Sequence, residues 1–139
     1  MGSAGGGDPG LGQVVVVASP KRSPNNQPMH RTNVLFVCSR NQWRSPTAEQ
    51  VWRRHPALSV RSAGTSPNAR HPVTEVDLSW ADVVFVMEEK HKSRLVAAYR
   101  RLLENKPVHV LDIPDEYAYM DPELIELLQQ SVGAALGIE

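Results

Sequence analysis

From Asn33 onward, apolar runs alternate with stretches of helical spacing. Val34-Leu35-Phe36-Val37 and Val83-Val84-Phe85-Val86-Met87 are near-continuous apolar runs, the pattern of parallel strands buried on both faces. Leu58 to Arg61 and Val108 to Leu111 predict two shorter strands. Between the strands the period changes. Ala48, Val51 and Trp52 form a stripe running to about His55, opened by Ser45 as an N-cap with Pro46 in the first helical position. Glu88 to about Glu104 predicts a second helix with Leu95, Ala98, Tyr99 and Leu102 on one face. Asp121-Pro122 opens a last helix whose Leu124, Leu127, Leu128 and Val132 turn inward. The order β-α-β-(loop)-β-α-β-α implies a single α/β domain: an open four-stranded parallel sheet with right-handed crossovers and helices on both faces. Ligands of such sheets lie beyond the carboxyl ends of the strands. Cys38, Gly64, Glu88 and Asp115 all follow such ends.

Two stretches depart from this rhythm. The 65–82 segment is short for a crossover containing a helix, and Pro67 and Pro72 interrupt it. One sheet face is therefore expected to be thinly covered, with Val73 and Trp80 as fillers. Residues 1–31 are rich in Gly, Pro and polar side chains and read as a disordered leader, leaving 32–139 as the folded domain. The run Val14-Val15-Val16-Val17 is the one candidate for an added edge strand. Gly2 invites an N-myristoylation reading, which Gly6 weakens because a hydroxyl residue is preferred there.

Composition narrows the function. The 139 residues carry a formal net charge of zero, so neither nucleic acid nor an anionic membrane is an expected partner. No apolar run approaches the roughly 18 residues a membrane span needs, and the early valine run is too short for a secretory signal. One cysteine excludes an intramolecular disulfide and suits a reducing compartment, with the cytoplasm as default. The five histidines show no ligand spacing, so no metal and no cofactor is proposed.

That one cysteine carries the chemistry. An apolar strand delivers Cys38 into the polar loop Ser39-Arg40-Asn41-Gln42-Trp43, followed by Arg44 and the helix-opening Ser45-Pro46. A lone cysteine after a strand is ordinarily a small buried hydrophobe. Here the parts around it are those that phosphoryl transfer to sulfur requires. A thiolate lies at the base of a loop whose N–H groups can cradle phosphate oxygens, a guanidinium can grip two of them, and a helix N-terminus favours negative charge.

The stretch from Val37 through Cys38-Ser39-Arg40-Asn41-Gln42-Trp43-Arg44-Ser45-Pro46 to Glu49 resembles the phosphate-binding loop of the low-molecular-weight protein tyrosine phosphatases. Ser62-Ala63-Gly64-Thr65 and Ile113-Pro114-Asp115-Glu116-Tyr117 match further family motifs in the same order, and the resemblance runs from about Asn33 to the C-terminus. It implies a phosphatase-I-like fold, shortened between the second and third strands. It also implies a metal-independent phosphomonoester hydrolase working through a phosphocysteine, with phosphotyrosine the first expected substrate. The related arsenate reductases relay electrons through further cysteines, which this chain lacks.

The resemblance also assigns roles. Cys38 is the nucleophile, and Arg44 clamps the phosphoryl group. The N–H groups from Ser39, Arg40, Asn41, Gln42 and Trp43 to Arg44 form the cradle. Asn41 takes a left-handed backbone angle, and Ser45 donates to the thiolate, caps the helix, or does both. Asp115 is the general acid, with Asp112, Glu116 and Asp121 as alternatives in the same acidic stretch; Asp121 fits a helix cap better. Tyr117 and Tyr119 line the entrance, where packing alone would also explain them. Trp43 stands where many members have a second cysteine, so a protective neighbouring disulfide is excluded. The Cys38-Ser39-x-Asn41-Gln42 pattern is also similar to a nuclear phosphatase acting on phosphoserine of an RNA polymerase tail. Expected partners are a phosphorylated protein or a small phosphomonoester, with inorganic phosphate as product. Two rival readings remain open: a phosphate-recognition module with little or no turnover, and a phosphatase for phosphoserine, a metabolite or a nucleic-acid end. Glu116 in place of a second proline and the short crossover motivate the first.

Overall fold

A computed structural model describes residues 31–138. The expected leader, with its valine run and Gly2, lies outside them apart from Arg31. The elements follow in the order β1 (Thr32–Cys38), α1 (Arg44–Trp52), β2 (Leu58–Gly64), α2 (Glu75–Trp80), β3 (Val83–Val86), α3 (Glu89–Leu103), β4 (Val108–Val110) and α4 (Pro122–Leu136). The strands form one sheet in the order β2-β1-β3-β4. All neighbours are parallel, with Val34 opposite Val60 and Val83, and Phe85 opposite His109. This is the open four-stranded parallel sheet that the alternation predicts.

The period of two along a strand sends successive side chains to opposite faces, so β1 and β3 supply two cores. Phe36 and Phe85 stack at 5.7 Å between ring centroids on the face covered by α1 and α4, among Ala48, Trp52, Leu124 and Leu128. Leu35, Val37, Val84 and Val86 turn to the other face, where Leu78 of α2 and Leu95 and Leu103 of α3 cover them.

The crossover between β2 and β3 is where expectation and structure part. The 65–82 segment holds the six-residue helix α2. Thr74 and Asp77 close a reciprocal capping box at its start, which substitutes for the length the segment lacks. Asp77 also bonds His71 and pairs with Arg61, tying α2 to the loop before it and to β2. Trp80 is half-buried against this core, and the Arg61 guanidinium lies 4.2 Å over its ring.

Three smaller differences have physical causes. Helix α1 begins at Arg44, so Trp43 holds the N-cap position and Ser45 lies inside the first turn. In α3, Tyr99 leaves helical geometry (φ −134°, ψ 41°), which rotates the last turn. Leu103 is buried, and Ala98, expected on the inner face, is exposed.

Candidate active site

The loop after β1 is shaped by its outward carbonyls. The oxygens of Cys38, Ser39 and Arg40 accept from the N–H groups of Thr65, Ser66 and Arg70 at 2.9, 2.9 and 3.1 Å. A trans peptide points its N–H opposite its carbonyl, so the N–H groups of Ser39, Arg40 and Asn41 face away from that clamp, toward the cysteine side. The clamp depends on Gly64. A Cβ there would lie 2.5 Å from Ala69 Cβ and 2.6 Å from the Ser39 oxygen.

Asn41 pins the centre of the loop. Its backbone is left-handed (φ 57°), a conformation asparagine tolerates better than most residues. Its N–H points at Cys38 Sγ over 3.3 Å. Its side-chain amide donates to Ser45 Oγ at 3.0 Å and Ser62 Oγ at 2.9 Å, and Ser62 in turn donates to Glu49 Oε1 at 2.6 Å. Ser45 Oγ accepts from Asn41, so its own proton is left for Cys38 Sγ at 3.0 Å or the Ala63 carbonyl at 3.3 Å. A thiolate would take that proton in preference to a neutral carbonyl.

Arg44 is 2% exposed, and its orientation is over-determined. Nη1 donates to Glu88 Oε1 at 2.7 Å and to the Ile113 carbonyl at 2.8 Å. Two of the five guanidinium donors are thereby used, and Nε with Nη2 form the edge suited to a bidentate grip on an oxyanion. The Arg44 hydrogen bond, opposed in part by burial, holds the Glu88 carboxyl below its ordinary range. Asp115 Oδ1 lies 3.8 Å from Arg44 Nε on a half-exposed loop.

His91, at the start of α3, closes the far side. Its Nδ1 accepts from the Glu88 N–H at 3.0 Å, and its Nε2 lies 2.8 Å from Ser39 Oγ. Burial, with the Arg44 charge nearby, pushes its pKa down to about 4, so the ring is neutral at neutral pH.

These parts line a pocket of about 250 Å³ bounded by Cys38, Ser39, Arg40, Gln42, Trp43, Arg44 and Asp115. A larger cavity of about 510 Å³ adjoins it across Gln42 and Trp43, and Tyr119 is in its wall. The structure thus brings together the expected loop residues, Arg44 and Asp115. Tyr117 packs against the core, and its hydroxyl donates to Glu123 at 3.3 Å. Asp121 caps α4 by accepting from the Glu123 N–H at 2.8 Å. Reading the sequence misses Glu88, His91, Ser62 and Glu49 as supports of the loop. Glu88 carries a signal in its place at the carboxyl end of β3, and Glu49 and Ser62 lie within the stretches that match the family motifs, while His91 carries none. Among the described residues, no group of three or more His, Cys, Asp or Glu could hold a metal ion.

No protein-family model and no curated protein matches the sequence. Solved structures do match. The tyrosine phosphatase Wzb from Escherichia coli is 20% identical with a TM-score of 0.64, over 77% of this chain and 97% of that one. The low-molecular-weight protein tyrosine phosphatase SP-PTP from Streptococcus pyogenes is 19% identical with a TM-score of 0.64, over 76% and 91%. The YwlE arginine phosphatase from Geobacillus stearothermophilus is 21% identical with a TM-score of 0.61, over 76% and 93%. The chain has the fold of the low-molecular-weight protein tyrosine phosphatases.

Proposed function

We propose that this protein is a cysteine-dependent phosphomonoester hydrolase of the protein tyrosine phosphatase type. The observation that carries the reading is the placement of the only cysteine of the chain. Cys38 Sγ has the Asn41 N–H directed at it and the Ser45 hydroxyl within hydrogen-bond distance, in a pocket that also holds Arg44 and Asp115.

In the first step the Cys38 thiolate attacks phosphorus, and the bond to the leaving oxygen breaks. Asp115 supplies that oxygen with a proton. Arg44 and the loop N–H groups hold the equatorial oxygens, whose charge is spread in the transition state. In the second step water attacks the phosphocysteine, Asp115 takes its proton, and sulfur leaves as a thiolate stabilised by Ser45. The products are the alcohol or phenol and inorganic phosphate.

Phosphotyrosine on a protein is the substrate class we favour. Phosphoarginine is the second, because the fold is shared with an arginine phosphatase; it is a phosphoramidate, so the bond broken in the first step would be P–N, with the departing guanidine nitrogen taking the Asp115 proton. Among the described residues no helix is long and apolar enough to cross a membrane. Single-turnover assays of an aryl phosphate, phosphotyrosine, phosphoserine and phosphoarginine peptides, and small phosphoesters test the reading. Phosphate release from the phosphotyrosine peptide is expected. Tight binding without release from any of them would favour a recognition module.

A further inference from the structure

We propose that His91 is a positioning residue that turns the Ser39 hydroxyl into an additional donor for the bound phosphoryl group. The inference rests on reading the 38–44 loop as a phosphoryl cradle and adds a residue from outside that loop.

Counting protons fixes the direction of each hydrogen bond at His91. His91 Nδ1 lies 3.0 Å from the Glu88 backbone nitrogen, a group that can only donate. Nδ1 must therefore be the unprotonated nitrogen, and the single ring proton of neutral His91 sits on Nε2. Nε2 lies 2.8 Å from Ser39 Oγ and so donates to it. With one of its lone pairs occupied, the hydroxyl is fixed, and its own hydrogen has to point away from the histidine. Ser39 lines the Cys38 pocket, where an oxyanion would be the acceptor.

A charged His91 would set a second N–H against the Glu88 N–H. It would also face the positive charges of Arg44, Lys90 and Arg94, opposed only by the Glu88 carboxylate. The ring is 1% exposed, so solvent cannot relieve that conflict. The tautomer is built in.

A purely structural His91 would matter through its cap on α3, that is through Nδ1. A positioning His91 matters through Nε2. Two substitutions separate the roles. In His91→Asn the amide oxygen can still accept from the Glu88 N–H, while the reach to Ser39 is lost. In His91→Gln the longer amide can still donate to Ser39.

The experiment is calorimetric titration of the full chain with inorganic phosphate, beside steady-state kinetics and 15N NMR of the imidazole. Ser39→Ala and His91→Asn should each weaken phosphate binding about tenfold or more, the scale of a lost hydrogen bond to a charged group. His91→Gln should stay within about threefold of wild type, and Ser39→Ala/His91→Asn should be no worse than Ser39→Ala. NMR should show the Nε2–H tautomer. The converse ranking, with His91→Gln impaired and His91→Asn unaffected, overturns the proposal, as does an Nδ1–H tautomer. If Ser39→Ala fails to fold, the two His91 variants and the tautomer decide. Phosphate binding without turnover would sink the hydrolase reading and leave this one standing. Failure of the wild-type protein to bind phosphate would overturn both.

Discussion

Arg44, in the wall of the Cys38 pocket, forms an ion pair with Glu88, with Arg44 Nη1 2.7 Å from Glu88 Oε1. The two residues come from elements on either side of the central strand pair: Arg44 opens α1, and Glu88 follows β3 as the N-cap of α3. The pair fixes the plane of the guanidinium before any ligand arrives. Planar preorganisation is what a bidentate grip on phosphate requires.

Glu88→Gln should therefore keep the fold and lose alignment. A hydrogen bond to a charged group contributes about 1.5–3 kcal/mol, so kcat/KM should fall by about 10- to 100-fold. Steady-state kinetics with an aryl phosphate check this, and unchanged kcat/KM would show that the Ile113 carbonyl alone orients Arg44.

Asp115→Asn should harm substrates in proportion to the basicity of their leaving group. General acid catalysis is typically worth about 100- to 10,000-fold, so phenyl phosphate should lose far more than a nitrophenyl ester. Asp112→Asn and Asp121→Asn are the controls and should change rates by less than about tenfold. Asp121 already accepts from the Glu123 N–H as a helix cap, which accounts for its position without catalysis. A leaving-group dependence that follows Asp121 instead would move the acid to that residue.

Gly64→Ala should be poorly tolerated for a backbone reason. The added methyl would meet the Ser39 carbonyl oxygen at 2.6 Å as well as Ala69 Cβ at 2.5 Å, and a carbonyl cannot swing aside as a flexible side chain can. Overpacking of this kind costs about 1–3 kcal/mol. Because Ser39 belongs to the cradle, phosphate affinity should fall together with the urea midpoint. A stability loss with unaltered phosphate binding would mean that the clamp does not shape the cradle.

The buried His91 makes stability depend on acid. Its pKa is about 4 in the folded protein against an ordinary 6.5, lowered by burial and then by the Arg44 charge. Between those values the unfolded chain binds more protons, so the folded state loses stability as pH falls. The contribution is fully present above about pH 6.5 and declines toward pH 4 by about 3 kcal/mol. Urea unfolding from pH 7 to pH 4 should show this slope in the wild-type protein and a shallower one in His91→Gln. Identical slopes would place the proton uptake elsewhere.

Much of this architecture is legible in the sequence because hydrophobic burial is local in its pattern. Val34 to Val37 and Val83 to Met87 are apolar on both faces of the pleat, as a central parallel strand covered on both sides requires. The spacing of Leu124, Leu128 and Val132 likewise shows which side of the last helix is buried. The loop from Cys38 to Arg44 is readable because its chemistry is contiguous in the chain. Helix α2 is less so, since its stability comes from the Thr74–Asp77 box and from Asp77 contacts with Arg61 and His71 rather than from a long apolar stripe. Ser45 shows how one residue type supports two readings. A serine before a proline suits an N-cap, yet here it is buried beside the thiol. Glu88 and His91 support the loop from more than forty residues away, and no local pattern announces a contact made only by folding.

The most direct measurement of the central claim is mass spectrometry of the protein denatured within a single turnover of an aryl phosphate. One transient phosphoryl group is expected on the peptide containing Cys38. Cys38→Ser should yield no turnover while still binding inorganic phosphate. Hydrolysis by Cys38→Ser at the wild-type rate, or a phosphoryl group on any other residue, would contradict that claim.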